Sequence, residues 1–478
     1  MSLNRTPRAN RVHIGIFGRR NAGKSSLINA ITGQDIALVS DTPGTTTDPV
    51  YKSMELPGAG PVVFIDTPGL DDEGNLGQAR VRRAARILER TDVAVLVVDP
   101  VAGLGETEVA LLEAVMAKAI PLVTVVAKQD TWTDASCLED VRAKVQAILS
   151  QKTQAGPQAA IIGRADQAAQ VAKLKAQPHV QSEAQPEAQS PAPPLAGPEI
   201  GEAGSKARIK AKSTSRKAAS EPMVLGVSAV TGEGVRELVL RLTQLINHRF
   251  ADAEPAIVGD LLEPGDTVFL VVPLDLQAPK GRLILPQVQV IRDLLDHDCT
   301  AVMVKTGYLA DALENSKQPP ALVITDSQVF GEVDAVLPQN IPLTSFSILF
   351  ARYKGDLVEL ARGARALAGL KPYDKVLIAE ACTHHPIADD IGTVKIPRWL
   401  EEKVGGPLEF SWQRGADYRE DLSQYKVIIH CGGCMLNRRA MWSRIEAAKA
   451  AGVPITNYGM TIAYTRGILE RALEPFDL

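Results

Sequence analysis

A glycine-rich stretch near the start of the chain constrains the fold more than any other feature. It runs from Gly18 to Ser25 with the spacing G-x-x-x-x-G-K-S. Alternating apolar residues at 12–16 precede it as a strand would, and the helix-like residues 27–31 follow it. Glycines at a helix N-terminus let backbone N–H groups approach phosphate oxygens. The stretch therefore predicts an α/β domain that binds nucleotide phosphates.

The side chains around this loop have separate expected roles. Lys24 should reach the β- and γ-phosphates, and the Ser25 hydroxyl should bind Mg²⁺. A second apolar strand, residues 62–65, ends in Asp66, whose carboxylate can hold the same ion through water. The loop residues expected to bind the nucleotide are Asn21, Ala22, Gly23, Lys24, Ser25 and Ser26.

Two further segments complete the expected catalytic set. The polar segment 41–48 contains several hydroxyls that could cap the metal, and Thr46 is the candidate chosen among them. Gly69 follows Asp66 at a spacing that lets its backbone N–H contact a γ-phosphate. The predicted catalytic residues are Lys24, Ser25, Thr46, Asp66 and Gly69.

A lysine and an acid after a later apolar strand predict guanine as the base. The stem of Lys128 should pack on the purine, and the carboxylate of Asp130 should accept two guanine N–H groups. The usual motif is Asn-Lys-x-Asp, but Ala127 occupies the position of the asparagine that ties this loop to the phosphate loop. Two residues of a later loop are expected to meet the base oxygen, Ser228 and Ala229.

A compositional break interrupts this first domain, which is predicted to span residues 1–250. Residues 151–222 contain no aromatic residue and no cysteine, and their second half carries a basic run. Such a segment cannot bury enough apolar surface to offset its chain entropy. We therefore expect a disordered surface insertion, and the basic run is interpreted as solvated rather than as a binding patch.

The rest of the chain predicts two more α/β domains, at 256–370 and 371–478. Strand-like and helix-like segments alternate through both, which favours parallel sheets. Residues 346–367 read as a helix that closes the middle domain. That domain shows no grouping of acids, bases or nucleophiles, and its Cys299 is expected to be a buried apolar residue.

Cysteines and histidines follow two strands of the last domain. Residues 374–380 and 425–429 are apolar strands, and the carboxyl ends of neighbouring parallel strands meet at one crevice. The C-x-x-C spacing lets two thiolates reach one centre, and the intervening glycines permit a tight bend. The candidate metal ligands are Cys382, His384, His430, Cys431 and Cys434.

Spacing alone leaves the nature of this centre open. An iron–sulfur cluster with three thiolates and one exchangeable corner fits as well as a Cys₃His zinc site. A redox dithiol formed by Cys431 and Cys434 is a third reading, and it would tolerate loss of Cys382. His384 and His430 could each equally well bind the metal or donate a hydrogen bond to one of its ligands. A regulatory GTPase with a zinc-stabilised tail, acting on RNA or ribosomes, is the alternative function.

Charge and hydropathy exclude other classes of function. The formal net charge of −4 provides no basic footprint for nucleic acid. No apolar run is long enough for a transmembrane helix, and the N-terminal residues lack the apolar core of a signal peptide. We expect a cytoplasmic protein without membrane or nucleic-acid partners.

The nucleotide motifs resemble those of the Era/TrmE-like branch of GTPases. Leu70 stands where other GTPases place a catalytic glutamine, so no side chain there can orient water. In this branch an asparagine at the position of Asn21 helps to bind K⁺, which supplies the charge of an arginine finger. The resemblance therefore implies slow, K⁺-stimulated GTP hydrolysis.

The whole chain is similar to the HydF family of FeFe-hydrogenase maturation GTPases. The resemblance rests on a GTPase first, an α/β domain second and C-x-H…H-C-x-x-C last, and it covers everything but the insertion. It implies a 4Fe–4S cluster on Cys382, Cys431 and Cys434, with His384 or His430 as candidate fourth ligand. It further implies a dimerisation domain in the middle of the chain, and hence a homodimer.

That resemblance also implies a scaffold and carrier function. The family's proteins receive a di-iron precursor that is assembled with two radical-SAM maturases. They deliver this cargo to the FeFe-hydrogenase apoprotein. The GTPase is expected to gate these interactions rather than to build the cofactor.

Overall fold

The computed structural model describes most of the chain outside a few loops and the long insertion. The described residues are 8–33, 50–67, 86–134, 136–154, 223–250, 256–273, 283–381, 390–415 and 421–478. The chain divides into two compact units, one formed by Met1–Leu138 with Val224–Leu478 and the other by Glu139–Met223. The predicted insertion lies outside the described residues except for its first four, which continue a helix.

The first sheet has six strands in the order β2-β3-β1-β4-β5-β6. β2 runs antiparallel to β3, and every other pairing is parallel. β4 is buried along its whole length, as its sequence VAVLVV requires of a strand covered on both faces. The strands are β1 Val12–Phe17, β2 Val50–Leu56, β3 Gly60–Asp66, β4 Val93–Val98, β5 Leu122–Val126 and β6 Val224–Gly226.

Helices of this first domain begin at the ends of its strands. The first starts at Lys24 directly after the glycine-rich loop and ends at Gly33, whose left-handed backbone at φ 64° caps it. The helices are α1 Lys24–Thr32, α2 Glu106–Ala117, α3 Ser136–Gln154 and α4 Val235–Phe250. Most of α3 belongs to the second compact unit, of which it is the described part.

The second sheet has four parallel strands in the order β10-β9-β7-β8. Its strands are β7 Thr267–Val271, β8 Thr300–Val304, β9 Leu322–Thr325 and β10 Leu343–Ser345. Its helices are α5 Leu285–Asp296, α6 Leu309–Glu314, α7 Phe330–Val336, α8 Phe346–Lys354 and α9 Leu357–Ala366. Cys299 is buried beside this sheet, as its sequence context predicted.

The predicted helix over 346–367 was wrong in one respect, because it is two helices. Gly355 has an extended backbone after α8, and the Asp356 side chain accepts a hydrogen bond from the Glu359 N–H to cap α9. An added Cβ at Gly355 would lie 3.1 Å from the Ile445 side chain, so a larger residue at this break would crowd Ile445.

The third sheet also has four parallel strands, in the order β12-β11-β13-β14. Its strands are β11 Lys375–Glu380, β12 Glu409–Arg414, β13 Val427–His430 and β14 Ile455–Asn457. Its helices are α10 Ile396–Val404, α11 Arg438–Ala450, α12 Tyr458–Arg466 and α13 Leu469–Leu473. The carboxyl ends of β11 and β13 therefore lie side by side, and the segment with Cys431 and Cys434 begins at this edge.

The second and third sheets share one apolar core. A single cluster of buried side chains includes Phe269 and Val323 of the second sheet and Val376 and Ile428 of the third. The α/β class, with three sheets and their helices in succession along the chain, is thus confirmed. Within the described residues, no helix combines the length and the apolar character needed to cross a membrane.

Candidate functional site

The glycine-rich loop adopts a backbone that only a few residue types allow. Gly18 has φ 149° and Gly23 has φ 98°, and an added Cβ at Gly18 would lie 2.3 Å from the Val97 carbonyl oxygen. Asn21 also has a left-handed backbone, at φ 57°. The Lys24 Nζ lies inside the loop and donates to the Gly18 carbonyl at 2.9 Å. The loop therefore already surrounds the ammonium that a phosphate would meet.

The predicted magnesium ligands are adjacent. The Ser25 Oγ donates to the Asp66 Oδ2 at 2.6 Å. The other Asp66 oxygen, Oδ1, is buried and has no hydrogen-bond partner among the described residues. Burial raises the pKa of Asp66, against the Ser25 hydrogen bond and the charge of Lys24, which lower it. A hydroxyl beside a carboxylate that has one unsatisfied oxygen fits Mg²⁺.

The predicted base-binding residues converge from two loops. Lys128 has a left-handed backbone and donates to the Asp99 Oδ2 at 2.7 Å. The Ser228 Oγ donates to the Asp130 Oδ1 at 2.5 Å, and it accepts the N–H of Thr231 at 3.1 Å. The carboxylate and the later loop are thereby fixed side by side, as guanine recognition by both requires.

Ala127 lies where the two nucleotide loops touch. An added Cβ at Gly23 would be 3.6 Å from the Ala127 Cβ, and the Ala127 carbonyl accepts the Trp132 indole N–H at 3.0 Å. The Ala127 side chain at this contact is a methyl group and offers no polar atom. The tie that an asparagine would make to the phosphate loop is absent at this point.

We expect Ala127→Asn to tighten nucleotide binding. One added hydrogen bond between the loops is worth about 1 kcal/mol, which corresponds to roughly a fivefold lower Kd. Titration with a fluorescent guanine nucleotide measures it, and Ala127→Val is the matched control because it adds volume without a polar group. An unchanged or higher Kd in the asparagine variant would show that the loops need no such tie.

An ion pair that the sequence did not point to supports the phosphate loop. The guanidinium of Arg19 donates to both carboxylate oxygens of Glu108, at 2.7 and 3.0 Å. Glu108 is buried in the first turn of α2, where it also accepts the N–H of Gly105. No motif signals this pair, because its partners are far apart in sequence. Two predicted catalytic residues, Thr46 and Gly69, lie outside the described residues.

The C-x-x-C segment starts where β13 ends, beside the end of β11. The Cys431 N–H donates to the Ala379 carbonyl at 2.8 Å, which continues the ladder between the strands. The Cys431 Sγ accepts the N–H of Ala381 at 3.2 Å. Gly433 has a left-handed backbone at φ 60°, which bends the chain between the cysteines.

Ala381, whose N–H contacts the Cys431 sulfur, directly precedes Cys382 in the sequence. Cys382 and His384 themselves lie outside the described residues, and within the described ones no three metal-binding side chains are grouped. Ala381 nevertheless brings the chain to the Cys431 sulfur. An N–H donated to sulfur and a glycine-bent C-x-x-C loop fit a thiolate-bound iron–sulfur cluster.

His430 is held by hydrogen bonds through both ring nitrogens. Its Nε2 lies 2.6 Å from the Arg444 guanidinium, which can only donate, so Nε2 accepts. Its Nδ1 then carries the proton and donates to the Cys431 carbonyl at 2.6 Å. Burial, and then the Arg444 charge, lower the pKa of His430 to about 3. This geometry speaks against the predicted role of His430 as a ligand and favours a role in positioning Cys431.

A buried carboxylate lies at the same strand ends. Glu380, 3% exposed, accepts hydrogen bonds from the Tyr458 hydroxyl at 3.0 Å and the Arg414 Nε at 2.9 Å. A cavity of about 460 Å³ is lined by Thr393, Trp412 and Arg414. The site edge thus combines thiols with a cationic, partly open cavity.

A lysine from the second sheet's domain reaches the C-x-x-C loop. Lys354, the last residue of α8, donates from Nζ to the carbonyls of Leu436, Cys434 and Gly433. Burial lowers the pKa of Lys354 to about 8, while the Cys434 and Cys431 thiolates act to raise it. Lys354 belongs to none of the motifs identified in the sequence.

The segment after the C-x-x-C loop contacts the first domain. Asn437 caps α11 by accepting the Ala440 N–H at 3.1 Å, and its Nδ2 donates to the Arg90 carbonyl at 2.8 Å. The Arg439 guanidinium donates to the Lys118 carbonyl. The cysteine loop and the nucleotide domain are therefore joined by hydrogen bonds outside both sets of predicted ligands.

Three family models match the chain in succession. A model described as a 50S ribosome-binding GTPase matches residues 13–128. The hydrogen maturase F dimerization domain matches residues 257–355, and the hydrogen maturase F tetramerization domain matches residues 358–475. The first sheet is therefore part of a GTPase domain.

Curated GTPases are similar to about a quarter of the chain. The GTPase Der of Kosmotoga olearia is 38% identical over 122 residues, which are 24% of this chain and 27% of that protein. The tRNA modification GTPase MnmE of a Synechococcus species is 41% identical over 120 residues, 25% of this chain and 26% of that protein. The chain thus spans about a quarter of the length of these relatives.

Among solved structures, Era of Aquifex aeolicus aligns with 68% of this chain and 97% of its own. The sequence identity is 16% and the TM-score is 0.29, a likeness too low to support any conclusion. The family models are more informative, because two of them are specific to one family and follow the GTPase domain without overlap. The chain belongs to the hydrogen maturase F family.

Proposed function

We propose that this chain is a GTP-hydrolysing scaffold that holds a 4Fe–4S cluster and delivers a di-iron precursor to FeFe-hydrogenase apoprotein. The observation that carries the proposal is the contact between Ala381 and the Cys431 sulfur, in a chain of this family. Ala381 directly precedes Cys382, so the contact supports a site shared by Cys382 and the C-x-x-C loop. In the proposed site, three thiolates hold one cluster, and the remaining corner stays open for a cargo.

The nucleotide half of the proposal assigns each side chain a task. Lys24 neutralises the β- and γ-phosphates, and Ser25 with Asp66 holds Mg²⁺, which bridges them. Lys128 packs on the base, and Asp130 accepts its N–H groups. The geometry of Ser25–Asp66 and Ser228–Asp130 supports these assignments. Thr46 and Gly69 are proposed to close over the metal and the γ-phosphate.

The metal half assigns the cluster to three cysteines. Cys382, Cys431 and Cys434 are the proposed thiolate ligands, and His384 is the candidate for the fourth iron. His430 is proposed as a positioning residue, because its hydrogen bonds to Arg444 and to the Cys431 carbonyl use both nitrogens. When bound, the cluster supplies an iron with an exchangeable coordination position.

Cargo and partners follow from the family and from the site edge. The cavity beside Arg414 and Trp412 is a proposed place for the di-iron precursor, whose cyanide ligands are anionic. Two radical-SAM maturases are the proposed sources of this cargo. One matched family model is a dimerization domain and another is a tetramerization domain. We therefore propose that the chain forms a homo-oligomer.

Metal and sulfide analysis of anaerobically purified protein tests the proposal. We expect iron and acid-labile sulfide in equal amounts and, after loading with precursor, activation of an FeFe-hydrogenase apoprotein. Stoichiometric zinc without sulfide would contradict it. That result would favour the alternative, a regulatory GTPase with a structural zinc site, which predicts salt-dependent RNA binding.

We expect GTP hydrolysis to slow when K⁺ is replaced by Na⁺. Asn21 stands in the phosphate loop with a left-handed backbone and is exposed, so its side-chain oxygen can serve a cation beside the phosphates. Hydrolysis rates measured at equal ionic strength in the two salts test this. The Asn21→Ala variant should lose the difference, and equal rates in the unchanged protein would exclude a K⁺ site.

A further inference from the structure

Lys354 joins two family domains at the C-x-x-C loop. It ends α8 within the segment that matches the dimerization domain, and it is only 2% exposed. Its Nζ donates to the carbonyls of three residues in the loop after β13, at distances of 3.0 Å for Leu436, 3.2 Å for Cys434 and 3.4 Å for Gly433. One ammonium thus holds three carbonyl groups of the loop that carries the cysteines.

The charge of this ammonium is not balanced by a carboxylate. In the part of the chain that the structure describes, Lys354 forms no salt bridge, and the ring of Phe350 lies 5.6 Å away as a weak cation–π partner. Carbonyl groups satisfy its hydrogen bonds but do not neutralise it. A buried, unpaired charge is costly, so a site with this arrangement calls for a negative group.

The negative groups expected beside Lys354 are the thiolates of the candidate metal centre. The Lys354 Nζ lies 3.2 Å from the carbonyl oxygen of Cys434, a candidate ligand, and Cys431 belongs to the same loop. Within the described residues, the backbone N–H groups of Gly432, Gly433 and Cys434 have no acceptor. Carbonyl groups of the loop thus accept hydrogen bonds from Lys354, while its consecutive N–H groups remain available as donors. Backbone donors of this kind form anion-binding concavities at many iron–sulfur sites.

We propose that Lys354 is the built-in counter-charge of the iron–sulfur centre and the positioning residue for its C-x-x-C loop. The inference rests on the proposed function. A 4Fe–4S core bound by three thiolates carries a net negative charge, which increases on reduction. A buried cation beside it stabilises the reduced form more than the oxidised form and so raises the reduction potential. The same ammonium fixes the loop, and thereby the spacing of Cys431 and Cys434.

Two variants separate the charge from the hydrogen bonds. Lys354→Met removes the charge and the hydrogen bonds and leaves a side chain of similar length. Lys354→Gln keeps an N–H donor and removes the charge. Lys317→Met is the matched control, because Lys317 is exposed in the same domain. Iron and sulfide content, the rate of iron loss to a chelator and the midpoint potential are measured on anaerobically reconstituted full-length protein. Thermal unfolding and molecular mass are recorded for each variant.

The expected results differ between the variants. Both should have a lower midpoint potential than the unchanged protein, and the methionine variant should also lose iron about 10- to 100-fold faster. The glutamine variant keeps the test valid where the methionine variant unfolds. Unchanged potential and iron loss in both would overturn the role of Lys354. An unchanged protein that holds no iron and sulfide would instead overturn the proposed function, and this role with it.

Discussion

Replacing Cys431 or Cys434 by serine is expected to remove the proposed iron–sulfur centre. A serine hydroxyl is not deprotonated at neutral pH and is a poor ligand for iron, so a three-thiolate site with one open corner cannot lose a thiolate and keep its cluster. We expect the iron and sulfide content to fall to about a tenth or less of the unchanged protein's content. Cys382→Ser should behave in the same way.

The control for this experiment is Cys137→Ser. Cys137 is partly exposed at the start of α3, away from the third sheet. Its replacement should therefore leave the iron content unchanged. Retention of the cluster in Cys382→Ser, together with loss of a disulfide exchange activity in Cys431→Ser, would contradict the metal site. That pattern belongs to a redox dithiol, which needs only the C-x-x-C pair.

The second large effect is expected on hydrolysis. Lys24→Ala removes the charge that we propose to face the β- and γ-phosphates, and Ser25→Ala removes a proposed Mg²⁺ ligand. Each should lower the rate of GTP hydrolysis by about 10²-fold to 10³-fold or more. Phosphate release measured at saturating GTP and Mg²⁺ tests it, with Lys144→Ala, an exposed lysine on α3, as the control.

The same two variants should retain the cluster. The phosphate loop lies on the first sheet and the cysteine loop on the third, and the bonds that join them run through Asn437 and Arg439, not through Lys24 or Ser25. Iron content should therefore match that of the unchanged protein. Cluster loss in either variant would show that the nucleotide site supports the metal site directly.

Residue spacing was sufficient to predict the parts that depend on local chain geometry. The G-x-x-x-x-G-K-S spacing fixed a strand, a loop and a helix, and all three are present as β1, the loop and α1. The alternation of apolar strands with helices predicted parallel sheets, and all strand pairs in the second and third sheets are parallel. Strand ends in parallel sheets share an edge, and the two strands that precede the predicted ligand segments, β11 and β13, are neighbours.

What the sequence could not indicate depends on packing between distant segments. Lys354 has no motif, and its role appears only when α8 lies against the loop after β13. Arg444 contacts the His430 ring only because α11 folds back over β13. The break at Gly355 was missed because its apolar pattern continues through both helices. In each case, a tertiary contact decides what a local pattern leaves open.

The proposed cluster is best tested by the electron paramagnetic resonance spectrum of the reduced, anaerobically reconstituted protein. We expect the signal of a reduced 4Fe–4S cluster in the unchanged protein. His384→Ala should alter this signal more than His430→Ala, because His430 is engaged with Arg444 and the Cys431 carbonyl. A silent spectrum from protein that contains zinc and no sulfide would contradict a 4Fe–4S scaffold.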